Sequence, residues 1–529
     1  MLDVIIIGAG FSGLYQLHSL RDKLNLNCHL FEMGDEIGGT WYWNSYPGAR
    51  CDTESQAYCY YFDKKIYNKW NWTERYPAQS EIQDYLKFVA KELNLNKNIS
   101  LSSKVIKMNY IEDLNKWKIV LENGESIESR FVVTAVGCLS KPNTPKINSI
   151  ENFKGRILHS AKWPKENIDF KGLKVAVFGT GSSGIQIIPE IAKEAEHLTV
   201  FQRTANYSIP ANNHKLSLKK LKEHKINFDE LKNISINNRH GHPWKHSNIP
   251  ITQDNLKACI QTLEKSWSTG GLSFRDTFSN INYDDYANSI VSGFIINKIK
   301  TIVKNPSAQK NLIDLDYPFG SKRPALDTSY YKTFNQNNVE IINLKSSKFQ
   351  SVNASGLTIN NKYLMLDMII FATGFDAITG SLLNMNITGA NKKKLSSEWH
   401  KKPNSYLGLQ IPNFPNLFTI TGPGSPSVLT NMPRAIEQHV DWITNCISNL
   451  IKNKKQKIEA LQKSADLWSK KVAEEAKKTM FLKTKNSWYL GTNIKGKPKG
   501  FIPYSGGLNK YKIICDEVAD NNYEGFLIS

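Results

Sequence analysis

The sequence has no long apolar run, no Cys-x-x-Cys pair and no leader-like N-terminus. Apolar stretches such as residues 4–7 and 368–371 are strand-sized, well short of the roughly 18 residues that a membrane-crossing helix needs. Behind Met1 the chain enters a buried-strand pattern at once, without a basic region or a small-residue cleavage site, so we expect a cytoplasmic protein with no membrane span. Cysteines 28, 51, 59, 138, 259, 446 and 515 are scattered. That spacing fits a reducing compartment, offers no metal site, and argues against a disulfide reductase, which needs a cysteine pair beside its flavin.

Acidic residues are too few to balance the basic ones, and the net charge is +20. The basic residues are mostly lysines dispersed among asparagines, without an aromatic-interleaved basic motif or a Cys/His module, so no nucleic-acid partner is expected. The richest run, residues 452–485, mixes Glu459, Asp466, Glu474 and Glu475 with its lysines and keeps Leu461, Leu467 and Trp468 at helical spacing. It predicts a solvated amphipathic helix.

What is present is a repeated design. Val4-Ile5-Ile6-Ile7 reads as a fully buried parallel strand, Gly8-Ala9-Gly10-Phe11-Ser12-Gly13 follows it, and Leu14, Leu17 and Leu20 continue at helical spacing. Glycines at 8, 10 and 13 allow a tight turn, close approach to a pyrophosphate and helix-on-strand packing, while the free N–H groups of the helix start meet negative charge. The next strand ends in Glu32, 24 residues beyond Gly8 and placed to accept hydrogen bonds from an adenosine ribose. Gly38-Gly39-Thr40-Trp41 past that acid resembles the sequel found in flavin-binding folds, so FAD is the expected first cofactor, with Gly39, Thr40 and Trp41 among its contacts.

The second copy begins at the strand 173–178 and continues as Gly179-Thr180-Gly181-Ser182-Ser183-Gly184. Gly179, Gly181, Ser182, Ser183 and Gly184 are the expected contacts. Here the residue 24 positions beyond the first glycine is Arg203, with Thr204 beside it. An acid there would repel a 2′-phosphate and a guanidinium can clamp it, so the expected second cofactor is NADPH.

Residues 134–137 and 371–374 each end an apolar run in a small-residue turn, and the second fingerprint lies between them. The expected fold is α/β, with two Rossmann-like dinucleotide-binding domains and a helical insertion. Residues 1–140 and 374–529 form the two parts of the FAD domain, 141–207 and 321–373 the two parts of the NADPH domain, and 208–320 a helical subdomain with helices over 218–233 and 286–304.

Between the fingerprints, residues 153–164 fit F-x-G-x-x-x-H-x-x-x-W-P, from Phe153 through His159 to Trp163-Pro164. This string resembles the signature of the type I Baeyer-Villiger monooxygenases. Gly38-Gly39-Thr40-Trp41-Tyr42-Trp43, Tyr46-Pro47-Gly48-Ala49-Arg50-Cys51-Asp52, residues 317–324, Thr421-Gly422-Pro423-Gly424-Ser425-Pro426 and Trp488-Tyr489 extend the likeness over nearly the whole chain. One departure is Ser45, where relatives often have Arg. The resemblance implies that NADPH reduces FAD, that the reduced flavin forms a C4a-peroxide with O2, and that this attacks a ketone to give an ester or lactone. It further implies that Arg323 is the active-site cation, that Asp52 is its carboxylate partner, and that Lys322 joins Arg203 at the 2′-phosphate. Trp488 then lies on a mobile lid within 486–506, and His159 couples domain position to cofactor binding. The partners are a small ketone and O2, and a monomer is favoured. The alternatives are a flavin monooxygenase acting on nitrogen or sulfur, and a non-enzymatic dinucleotide-binding redox sensor.

Overall fold

Val4–Ile7 are almost wholly excluded from solvent, as a strand covered on both faces must be. In the computed structural model, which describes residues 2–529, this segment belongs to the strand Leu2–Ile7. Cys28–Phe31 and Ser126–Thr134 flank it in parallel. Outward from Ser126–Thr134 run the antiparallel strands Lys116–Leu121 and Val105–Ile111. Leu417–Thr419 pairs with the upper end of Ser126–Thr134, so C-terminal chain completes the N-terminal sheet. The long helix Met432–Lys452 covers the face that also carries Phe11–His18, where Gln16 donates to the Thr444 hydroxyl at 3.1 Å.

The second sheet is all parallel, in the order Val339–Asn343, His197–Gln202, Lys174–Phe178, Met368–Phe371, Arg156–His159. Lys174–Phe178 occupies the central place that Leu2–Ile7 holds in the first sheet. The chain leaves the first sheet after Thr134 and returns after Phe371, and the two crossings are bonded to each other. The Asn143 N–H donates to the Gly374 carbonyl at 2.9 Å, the Thr373 hydroxyl to the Asn143 carbonyl at 2.6 Å, and the Asp376 N–H to the Lys141 carbonyl at 2.9 Å.

The helices of residues 208–320 are divided between the two cores, and the stretch 218–233 is not one helix. Leu218–Ile226 and Phe228–Asn237 are separate helices broken at Asn227, and Phe228 and Leu231 pack into the first domain's core. Leu256–Thr269, Asp285–Ile302 and Pro306–Leu312 join the second core through Leu263, Val291, Ile295 and Leu312. The run 452–485 is not one helix either. Lys452 ends the helix before it, Ile458–Ala460 pairs as a strand with Phe526–Ile528, and only Gln462–Lys477 is a long helix there. Of its apolar marks Trp468 is buried, while Leu461 and Leu467 face solvent.

Candidate active site

The two fingerprints are built alike. Gly8 and Gly179 have φ of +107° and +111°, and a Cβ on either would lie 2.6 or 2.3 Å from a carbonyl oxygen, that of Ala135 or Ala372 respectively. Those two alanines sit in the crossings, so each glycine turn is seated on the segment that joins the domains. A Cβ on Gly13 or Gly184 would lie 1.8 or 2.1 Å from the carbonyl oxygen of Gly8 or Gly179. Only glycine lets helix and strand approach this closely.

At the first turn Glu32 is buried, and its two oxygens accept from the Ala9 and Gly34 N–H groups, both at 2.7 Å. Burial raises its pKa while those N–H groups oppose the rise. A carboxylate has acceptor capacity beyond two bonds, so the position can still meet a ribose. Gly39, at φ +54°, packs on Gly10, where a Cβ would lie 2.8 Å from the Gly10 Cα. Thr40 and Trp41 start the short helix Thr40–Trp43; Thr40 is exposed and the Trp41 indole donates to the Tyr58 hydroxyl at 3.2 Å.

At the second turn Gly181, Ser182 and Arg203 are exposed together. The Thr180 hydroxyl donates to the Thr204 carbonyl at 3.0 Å, and the Thr204 hydroxyl is buried with no partner among the described residues. The Lys322 ammonium lies 4.0 Å from the centre of the Tyr317 ring. Burial takes its pKa down to about 8, with Asp316 opposing and the Arg203 charge adding to the fall. Two cations close enough to act on each other, with an unpartnered hydroxyl on the residue after Arg203, fit a phosphate group. An acid thus stands at the first turn and cations at the second.

Lys322 and Arg323 are consecutive, but their side chains contact different residues. Arg323 gives Nε to Asp52 Oδ2 at 2.5 Å, Nη2 to Asp52 Oδ1 at 2.9 Å, and Nη1 to the Val428 carbonyl at 3.0 Å. Burial alone would lower its pKa, but the Asp52 carboxylate outweighs that and holds it above the ordinary guanidinium range. The Asp52 segment also bridges the domains: the Tyr46 hydroxyl donates to Gln186 Oε1 at 2.9 Å, and Gln186 Nε2 to the Arg50 carbonyl at 3.0 Å. The loop therefore has an anchor even with Ser45 in the place of an arginine.

The segment 486–506 lies docked. Lys497 donates to Asp376 Oδ1 at 2.7 Å and to the Ala377 carbonyl at 2.6 Å, and the Ile502 N–H to the Tyr489 carbonyl at 2.9 Å. The half-buried Trp488 packs its ring against that of Tyr489, with centroids 4.4 Å apart. His159 accepts from the Ala161 N–H at 3.0 Å and lies 3.4 Å from the Asn143 carbonyl of the crossing, and burial lowers its pKa.

Residues 2–214 match the model of the flavin-binding monooxygenase-like family. The chain is 37% identical to a cyclohexanone 1,2-monooxygenase of Acinetobacter sp over 99% of its own length and 96% of that protein. It is 37% identical to a phenazine N-monooxygenase of Lysobacter antibioticus (99% and 97%) and 35% identical to a Baeyer-Villiger monooxygenase of Pseudooceanicola batsensis (99% and 96%). The structure of OTEMO in complex with FAD and NADP superposes with a TM-score of 0.95 at 32% identity, covering 100% of this chain and 99% of that one.

The chain belongs to the type I Baeyer-Villiger monooxygenases.

In this monooxygenase the signature string 153–164 runs through the edge strand Arg156–His159, beside the crossing. No helix among the described residues is long and apolar enough to cross a membrane. Several site features carried no sequence signal. The Val428 carbonyl that fixes Arg323 is backbone, which any residue supplies. A polar group beyond it was also missed: Asp276 Oδ1 lies 3.5 Å from both His240 Nε2 and His246 Nδ1, a cluster that could hold a metal ion where none was expected. It is assembled from two loops distant in sequence.

Proposed function

We propose that the enzyme uses NADPH and O2 to insert one oxygen atom beside a ketone carbonyl, giving an ester or lactone, NADP⁺ and water. FAD is assigned to the Gly8, Gly10, Gly13, Glu32 and Gly39 to Trp41 site, and NADPH to the Gly179 to Gly184 turn with Arg203, Thr204 and Lys322. When bound, FAD reduced by NADPH supplies the activated oxygen that adds to the carbonyl carbon.

The observation that carries the reading is the two-pronged Arg323–Asp52 pair beside the domain crossing, in a chain of this family. Arg323 presents a permanent positive charge that stabilises negative charge building on the carbonyl oxygen. Asp52 holds the guanidinium plane in one orientation and moderates its field. Trp488 and the 486–506 segment exclude water from the site. The division into a FAD domain of 1–140 and 374–529 and an NADPH domain of 141–207 and 321–373 follows the two crossings. The seven cysteines, all unpaired and buried, fit a cytoplasmic enzyme.

Oxygenation of a ring nitrogen is the second reading, favoured by the phenazine N-monooxygenase relative. Incubation with NADPH in air, first with cyclohexanone and then with phenazine, separates the two. A lactone from the ketone supports the first reading; an N-oxide with no lactone replaces it with the second.

A further inference from the structure

Arg275 is an arginine without a full set of partners. Its side chain is 14% exposed, and its Nε and Nη2 groups are buried with no hydrogen-bond partner among the described residues. The nearest carboxylate oxygen, Asp276 Oδ2, lies 3.9 Å from Nε, beyond hydrogen-bond reach. That oxygen already accepts from the Trp244 indole at 3.0 Å, and the other lies between His240 and His246. Buried charged donors left open are costly, and such groups call for an explanation.

Nε and Nη2 form the guanidinium edge that meets a carboxylate with two parallel bonds. This chain uses that edge so elsewhere: Arg323 grips Asp52 with it, and Arg21 grips Asp22 at 2.6 and 2.8 Å. Arg275 presents the same edge unfilled. Beside it His242 is fully buried, stacked on Trp244 at 4.0 Å, with neither ring nitrogen bonded among the described residues.

This buried, unbonded edge lies close enough to Arg323 for the two charges to act on each other. The loop whose Val428 carbonyl holds Arg323 also offers the Leu429 carbonyl to His240 Nδ1 at 3.2 Å, and the Asn431 N–H donates to the His240 carbonyl at 2.8 Å. Phe274 packs edge-on against Phe319, in the segment that carries Arg323, with centroids 5.8 Å apart. Burial, and beyond it the Arg323 charge, lowers the Arg275 pKa, with Asp276 opposing.

We propose that Arg275 is a carboxylate-binding subsite and that the ketone oxygenated here carries a carboxylate, an inference that rests on the ketone reading above. His242 supplies a further hydrogen bond to the same group. Neutral ketones are the class it disfavours, since they offer that edge no anionic two-oxygen acceptor.

The test compares cyclohexanone para-carboxylate with its methyl ester on the holoenzyme with NADPH in air. The acid is expected to show a kcat/KM roughly tenfold to a hundredfold above the ester, carried by KM, as a charge-assisted contact provides. Arg275→Leu should bring that ratio near one, and Arg275→Lys, which keeps the charge without the fork, should fall between. Calorimetric titration with the same acid, independent of turnover, should show weaker binding to Arg275→Leu by a similar factor. An acid-to-ester ratio unchanged by Arg275→Leu overturns the subsite while leaving ketone oxygenation standing. Absence of oxygenated product from both compounds overturns the ketone reading, and the titration then decides the subsite by itself.

Discussion

Replacing Asp52 with asparagine keeps the shape of the side chain and removes its charge. In the native pair Arg323 gives two charge-assisted bonds, at 2.5 and 2.9 Å, to the two carboxylate oxygens. In the variant one of those oxygens becomes an NH2 group facing a guanidinium N–H, so at most one of the two bonds survives, and as a weaker one. Each bond to a charged group contributes about 1.5–3 kcal/mol. The partners are 18% and 25% exposed, so solvent returns part of the loss, and about 2–3 kcal/mol of orientation remains at stake. At 1.4 kcal/mol per factor of ten this is a fall of roughly thirtyfold to 150-fold. Arg323 stays charged, because an arginine titrates above about 12 even without a partner. The loss therefore belongs to positioning. The assay measures ester formed per NADPH consumed, together with the NADPH dissociation constant. Ester formation should fall by that factor while NADPH affinity stays within about threefold. A matching fall in NADPH affinity, or unchanged ester formation, refutes the role given to the pair.

Arg203→Ala should raise the KM for NADPH by about ten- to a hundredfold, the loss of one charge-assisted phosphate contact, and leave that for NADH alone; an equal effect on both cofactors refutes the phosphate role. Lys322, held down to about 8, is charged below that pH and neutral above it. kcat/KM for NADPH should therefore decline as pH rises through about 8, with NADH less affected, and Lys322→Met should flatten the profile; a decline that persists in the variant assigns it elsewhere. Gly13→Ala puts a methyl group 1.8 Å from the Gly8 oxygen, so the protein should purify without FAD, read from its visible absorbance; retained yellow colour contradicts the turn geometry.

Much of this was legible because the glycines are constrained by backbone contact. Gly8, Gly13, Gly179 and Gly184 stand where any side chain would strike a carbonyl, and such positions leave a spacing that reads directly from sequence. The common offset of Glu32 and Arg203 was legible for the same reason, since each ends the strand next to its glycine turn. The helical regions were less readable. The break at Asn227 follows from packing: Phe228 turns into the first domain's core, and an amphipathic pattern does not say which of two cores a helix faces. Trp468 is buried and its indole N–H donates to the carbonyl of Gly424, far away in sequence, at 3.0 Å, while Leu461 and Leu467 at equally helix-like spacing remain exposed. Arg275 and Asp276 carry no local pattern, and their meaning comes only from the loops folded against them.

The most direct test of the central claim is turnover of cyclohexanone with NADPH under isotopically labelled O2. The expected product is a lactone carrying one labelled oxygen atom, formed in step with NADPH consumption and strongly reduced in Arg323→Ala. NADPH consumption that yields only hydrogen peroxide from every ketone offered, or a lactone formed equally well by Arg323→Ala, would contradict it.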